Sequence, residues 1–381
     1  MGLFCEQVVF VGVGSVVCFL PQILILYAGI AFLENAGVVA RVSLVFDPFF
    51  RKLGLSGKSV FSVLAGFGCT TSAVLVTRNL ESDDVRRLTV ASLPFFGCSA
   101  KLPVLLVVAS LFFEKCKFLC VFGVYLLSVC VFLLVFFVLS LFRRSQSDGF
   151  FVRMPRLRKP SFKPVFDSVC VNFFEFFRRT FVSVFLFCCV LFVLCNFDFS
   201  FNFVGSDLGK PIIQILSELV APVFLPLGFG SWGIVVALLF GVVAKEMVLS
   251  SLALVNHAGA GFLALSLVDE FSVVHFSPLS AISFLVFIML FTPCFPALRM
   301  MGKEIGGFFA FFVGAFQFFV AYVVSLFVFQ IGCGNLIFVW ILIALFVAFF
   351  GLVVVKCKRK GDCCCGCYNK NCLRGKSNKA V

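Results

Sequence analysis

Charge-free apolar runs of membrane length constrain this chain more than any other feature. Phe118–Phe142, Phe181–Cys195 and Leu336–Val355 contain no Asp, Glu, Lys or Arg. About 20 apolar residues let a helix cross the hydrocarbon core of a bilayer. In lipid every backbone polar group must be satisfied within the protein, which leaves helix bundles or closed barrels. A barrel would show short segments of alternating polarity, and the sequence has none. The chain is read as all-α and polytopic, consistent with 62% hydrophobic and 13% charged residues among 381.

Apolar stretches fall near 8–33, 59–77, 88–112, 118–142, 181–199, 232–255, 279–298, 308–330 and 334–355. This predicts about 8–9 transmembrane or re-entrant helices. The net charge of +13 is concentrated in a central loop (Arg143, Arg144, Arg153, Arg156, Arg158, Lys159, Lys163) and after the last apolar run (Lys356, Lys358, Arg359, Lys360). Positive charge stays on the cytoplasmic side, so both regions are expected there, and the charge is not read as a nucleic-acid surface. Four spans before the central loop put the N-terminus on the same side. Five spans after it do not, which marks one as re-entrant or half-spanning. The choice is 279–298, broken by Pro293 and Pro296, while 59–77 is a second partial span. The first residues, Met1–Glu6, lack the basic region of a signal peptide, so the first apolar stretch is expected to remain as a helix. The resulting division is a first half over 1–142, a basic linker with an interfacial aromatic helix over 143–180, a second half over 181–355, and a basic cysteine-rich tail over 356–381.

Three of the 19 cysteines stand at breaks in the apolar pattern. Cys69 follows Gly66-Phe67-Gly68 and precedes Thr70-Thr71-Ser72. Cys98 lies between Gly97 and Ser99, with Pro94 and Pro103 nearby. Cys294 is bracketed by Pro293 and Pro296. A helix break at membrane depth survives only inside protein or beside a water-lined cavity, and thiolate sulfur favours soft and borderline metals. These thiols, with Thr70, Ser99 and carbonyls freed at the breaks, are therefore candidate ligands; simple packing is the competing reading. Cys18, Cys120, Cys130, Cys188, Cys189 and Cys195 read as small hydrophobes. Lys245-Glu246 sits inside an apolar stretch, where ionisable residues are functional candidates by default. Glu246 is assigned to the path, against the alternative of a self-neutralising pair that locks helix packing. Glu34 and Asn35 either line an entrance or cap a helix.

The segment Gly54-Leu55-Ser56-Gly57-Lys58-Ser59 is not a phosphate loop. That motif needs glycine where Lys52 stands, and a preceding strand. No nucleotide hydrolysis is expected from this chain. In the tail, Cys363, Cys364, Cys365, Cys367 and Cys372 crowd together, a density suited to metal capture or redox chemistry, or else incidental to a basic tail.

Together these residues resemble the membrane domain of the FeoB ferrous iron transporter family. The resemblance runs from near residue 10 to about 325, through Glu34–Arg41, Gly66–Cys69, Cys98–Pro103, Ala221–Phe224, Ala244–Glu246 and Pro293-Cys294. The chain departs from the family at Thr70-Thr71-Ser72, where Asn-Val-Pro is usual. The resemblance implies two paired gate halves in the prokaryotic cytoplasmic membrane, with both termini cytoplasmic. Fe²⁺ would be the transported ion, passing Cys69, Cys98 and Cys294, with no bound organic cofactor. Because the resemblance begins at the membrane domain, a separate GTP-binding subunit is the expected partner, alongside small Feo accessory proteins, membrane lipid and room for an oligomer. A non-transporting scaffold or metal sensor docking a GTPase is the rival reading, as is transport of another divalent metal or a nucleoside.

Overall fold

The computed structural model describes residues 59–80, 82–141, 211–243 and 277–334 continuously, with single residues and short pieces between 21 and 48, 166 and 197, and 245 and 251. Glu34, Asn35, Glu246, the 143–165 loop and the tail cysteines lie outside the described residues. Among the described residues all elements are helical and no β-strand is formed.

Ten α-helices fall within the continuously described residues. In the first part they are α1 (Ser59–Gly68), α2 (Thr70–Val76), α3 (Asp83–Ser92), α4 (Leu102–Phe112) and α5 (Lys117–Leu141). In the second they are α6 (Ile212–Phe224), α7 (Trp232–Val243), α8 (Pro278–Leu290), α9 (Phe295–Ile305) and α10 (Gly307–Gly332). Among the described residues four stretches are long and apolar enough to cross a membrane: Asp83–Phe112, Lys117–Ser140, Pro278–Ile305 and Gly307–Gly332. Two of these, α5 and α10, are continuous. The other two, α3–α4 and α8–α9, are interrupted.

Local chemistry explains where each helix starts and stops. Ser82 accepts from the Val85 amide, and Asp83 and Asp84 occupy the first turn of α3, where acidic groups complement the helix dipole. Pro103 and Pro296 sit in the first turns of α4 and α9, where the missing N–H has no helical partner to lose. α6 holds Pro222, continues as a short 3₁₀ turn over Leu225–Leu227, and ends at Gly228 with φ +86°. That left-handed residue begins a turn of 98° between Ile212–Leu227 and Trp232–Val242, so α6 and α7 form one sharply bent pair.

α1 and α2 also fold back. A Cβ built on Gly66 would touch the Cβ of Ala73 at 3.8 Å. In a straight helix, residues seven apart are separated by about 10 Å. The chain therefore reverses at Cys69, whose backbone is extended at φ −155°, ψ 127°, so 59–77 is two short helices folded back on each other rather than one straight helix. The stretch 279–298 differs from expectation. Its helix resumes after a break at Phe291–Cys294, and Pro278–Ile305 together make 28 residues, enough to cross.

Two large apolar cores lie among the described residues. One gathers α4, the start of α5, α6, α7, α8 and the later part of α10, including Leu105, Phe224, Phe229, Phe287 and Leu326. The other gathers α1–α3, the later part of α5, α9 and the earlier part of α10, including Val74, Phe95, Phe132, Met301 and Val313. α5 and α10 run through both cores like pillars. Their outer faces carry Phe118, Leu119, Phe122, Phe308 and Phe311, all exposed, as lipid-facing residues would be. At α8–α10, Ser283 and Ser325 exchange hydrogen bonds, with the two hydroxyl oxygens 2.9 Å apart; such pairs hold membrane helices together in place of a hydrophobic driving force.

Candidate functional site

The two interrupted spans break at the same level, in the waist between the cores, and their breaks face each other. In the first, α3 passes through a 3₁₀ turn at Leu93–Phe95 and a second at Ser99–Lys101 before α4 begins. In the second, Phe291–Cys294 separates α8 from α9. A side chain at Gly97 would collide with Met289 of the opposite span and meet the Tyr125 ring at 3.0 Å. Glycine is needed there for close approach.

Each break frees backbone carbonyls, and the protein supplies donors to several of them. From α5, Ser128 donates to Phe95 O at 3.0 Å and Tyr125 to Cys98 O at 3.3 Å. From α10, the Gln317 amide nitrogen donates to Pro94 O at 2.6 Å, Leu290 O at 3.0 Å and Phe291 O at 3.2 Å, tying the two breaks with one side chain. Lys101 donates to Met289 O, and Lys245 to Thr292 O at 2.5 Å. At the Cys69 turn, Ser99 donates to Gly68 O at 2.7 Å and Ser72 to Cys69 O at 2.8 Å. The expectation of open carbonyls is thus modified. In this state these freed oxygens are held by protein donors, because leaving them bare in an apolar interior costs about 1–3 kcal/mol each. Two acceptors in the waist remain without a partner: Thr292 Oγ1 and Gln317 Oε1 are both buried.

The three predicted cysteines converge on this waist. Cys69 precedes α2 and Cys294 precedes α9, each with sulfur toward the first amides of its helix without closing a full capping hydrogen bond. Cys69, Cys98 and Cys294 lie within electrostatic reach of one another, and Lys101 is within reach of Cys98 and Cys294. All three are partly accessible free thiols. Among the described residues no three of His, Cys, Asp and Glu are gathered closely enough to hold a metal ion. Thr70 is buried at the first turn of α2. Lys245 departs from its expected place: it lies in a turn after α7 instead of mid-helix.

α2 and α9 pack along each other. They are pinned at the ends away from the thiols, where Arg78 meets Glu304 at 2.6 Å and again through Nε at 2.7 Å. Nine or ten residues at 1.5 Å each put this ion pair roughly 14 Å from the cysteines. Sequence reasoning missed Arg78–Glu304, Tyr125, Ser128 and Gln317. Only Gln317 left a readable signal, as one of two amides, with Gln330, in a 26-residue apolar helix.

These features define a polytopic α-helical membrane protein with two interrupted spans meeting at a polar, thiol-bearing waist. The gate-domain family model, described as "Nucleoside recognition", matches residues 16–112 and 177–308, and the model for the C terminus of ferrous iron transport protein B matches 121–170. The chain belongs to the gate-domain family, in the form found in the membrane part of FeoB proteins. The Fe(2+) transporter FeoB of Methanocaldococcus jannaschii is 31% identical over 335 residues, which cover 86% of this chain and 49% of that protein. Those of Staphylococcus aureus and Campylobacter jejuni are each 31% identical, over 299 and 313 residues, covering 77% of this chain and 43% and 49% of theirs. The chain spans about half the length of the curated relatives it matches. No solved structure matches it.

Proposed function

We propose that this chain carries ferrous iron across a prokaryotic cytoplasmic membrane, with the ion passing the waist between the two breaks. The observation that carries the reading is the convergence of Cys69, Cys98 and Cys294, from three separate interruptions, on one level of the molecule. The names of the relatives support the cargo. An aquo ion entering an apolar interior must exchange its waters for protein ligands. Sulfur suits Fe²⁺ as a borderline metal, and sites that do not close tightly around the ion favour release over storage. The spacing of the thiols agrees with a relay rather than a chelate. Thr70, Ser99 and Glu246 belong to the same path in this reading, and the tail thiols, Cys363 to Cys372, receive the metal inside. The chain acts as a transporter subunit, driven by a GTP-binding partner.

The two gate matches support a two-halved organisation, each half providing one interrupted span. The same matches favour a second reading, because that family model is described by nucleoside recognition. Uptake of Fe²⁺ into proteoliposomes, with a FeoB-type GTPase supplied, separates the readings. Iron transport predicts influx that competing Zn²⁺ or Mn²⁺ reduces and nucleosides leave unchanged. Inhibition by nucleosides with no effect of metals would favour the second reading. Metal binding with no influx of either would leave a scaffold or sensor.

A further inference from the structure

We propose that Lys101 and Lys245 are tethered cations that fill the waist in the ion-free state and are displaced by the transported ion. This rests on the reading of the waist as the metal path. The two lysines reach the same place from different parts of the chain. Lys101 follows the Cys98 break and donates to Met289 O; Lys245 follows α7 and donates to Thr292 O at 2.5 Å. The accepting residues flank Leu290 and Phe291, whose own carbonyls accept from Gln317. Both lysines are buried, at 3% and 4% exposure.

Their surroundings are those of a cation site. Carbonyl oxygens accept from both ammonium groups, the Lys245 nitrogen stands 4.7 Å above the face of Phe291, and thiols lie within electrostatic reach: Cys98 and Cys294 for Lys101, Cys294 for Lys245. Ring faces and carbonyl dipoles both attract positive charge. Main-chain oxygens freed at a helix break are also the groups that replace an ion's hydration shell in pores. An ammonium group and a divalent ion cannot share them, since like charges a few ångströms apart repel strongly in a poorly solvated site. Occupancy by lysine and by metal therefore exclude each other. With lysine in place the carbonyls are satisfied and the breaks are sealed. With the ion in place the ammonium groups withdraw, and the seal opens only for a cation able to outcompete them.

The test uses the full chain in liposomes under anaerobic conditions, with Fe²⁺ as the probe and maleimide alkylation of Cys98 and Cys294 read by mass spectrometry. In the wild type, Fe²⁺ protects these thiols and so defines a half-protecting concentration. Lys101→Met and, independently, Lys245→Met are expected to lower it at least tenfold. Lys101→Arg and Lys245→Arg, which keep the charge, stay within twofold. In the wild type itself, acylation of both lysines by a small water-soluble reagent rises over the same Fe²⁺ range, a readout that needs no variant to fold. Protection with the same midpoint in the methionine variants, or lysine acylation indifferent to Fe²⁺ while the thiols are protected, overturns the lysine proposal and leaves the path intact. Absence of Fe²⁺ protection at either thiol in the wild type overturns the path reading itself.

Discussion

Gln317 shows how much of the waist depends on one side chain. Its amide nitrogen serves carbonyls of Pro94, Leu290 and Phe291, while its oxygen has no partner. Gln317→Leu preserves bulk and removes the donor, leaving buried acceptors whose desolvation costs about 1–3 kcal/mol per group. The thermal midpoint of the purified protein in detergent should fall clearly, and Gln317→Glu, which places an acceptor against acceptors, should fall at least as far. An unchanged midpoint for both would mean that the breaks are held by other contacts. The same scale shows what the sequence makes legible. Cys69, Cys98 and Cys294 announce themselves because glycine or proline beside them cannot continue an apolar helix. Tyr125 and Ser128 are invisible, since an amphipathic ring or a hydroxyl on a regular helix looks the same whether it bonds across a break or to its own turn.

At the scale of elements, the breaks are close-packed joints. A Cβ at Gly97 would run into the Met289 side chain of the opposite span and the Tyr125 ring of α5, so Gly97→Ala must displace these side chains. Overpacking of this kind costs about 1–3 kcal/mol, and the variant should be less thermostable in detergent; wild-type stability would mean that Met289 swings aside freely. Away from the thiols, Arg78 and Glu304 join α2 to α9. Glu304 is almost fully buried and Arg78 about one-third exposed, so solvent screens the pair only in part. A double-mutant cycle of Arg78→Met with Glu304→Gln should give a coupling of about 1 kcal/mol, and a coupling near zero would show that α2 and α9 are held by packing alone. Two elements were misread for identifiable reasons. Pro293 and Pro296 suggested a reversal, yet Pro296 lies in the first turn of α9, where proline starts a helix instead of ending a span. Lys245 appeared to be mid-helix because a short joint between apolar helices has the same composition as the helices themselves.

At the scale of the whole molecule, α5 and α10 stand as continuous pillars and the two interrupted spans meet between them, with an apolar core on each side of the waist. Of the 58 phenylalanines, those among the described residues serve both surfaces of this arrangement. Phe118, Phe308 and Phe311 face outward, while Phe224, Phe229, Phe287 and Phe318 form a network of edge-to-face and tilted contacts inside. Helical class and the position of the breaks were legible from hydropathy and from glycine and proline. Their meeting was not, because it depends on contacts between residues nearly 200 positions apart, such as Gly97 with Met289. The central claim is that this meeting point is the iron path. Its most direct measurement is the initial rate of Fe²⁺ entry into proteoliposomes holding equal amounts of inserted wild type, Cys69→Ser, Cys98→Ser or Cys294→Ser protein, with a FeoB-type GTPase supplied. The account predicts at least a tenfold loss in each variant at unchanged helical content. Wild-type rates in Cys69→Ser and Cys98→Ser would contradict it.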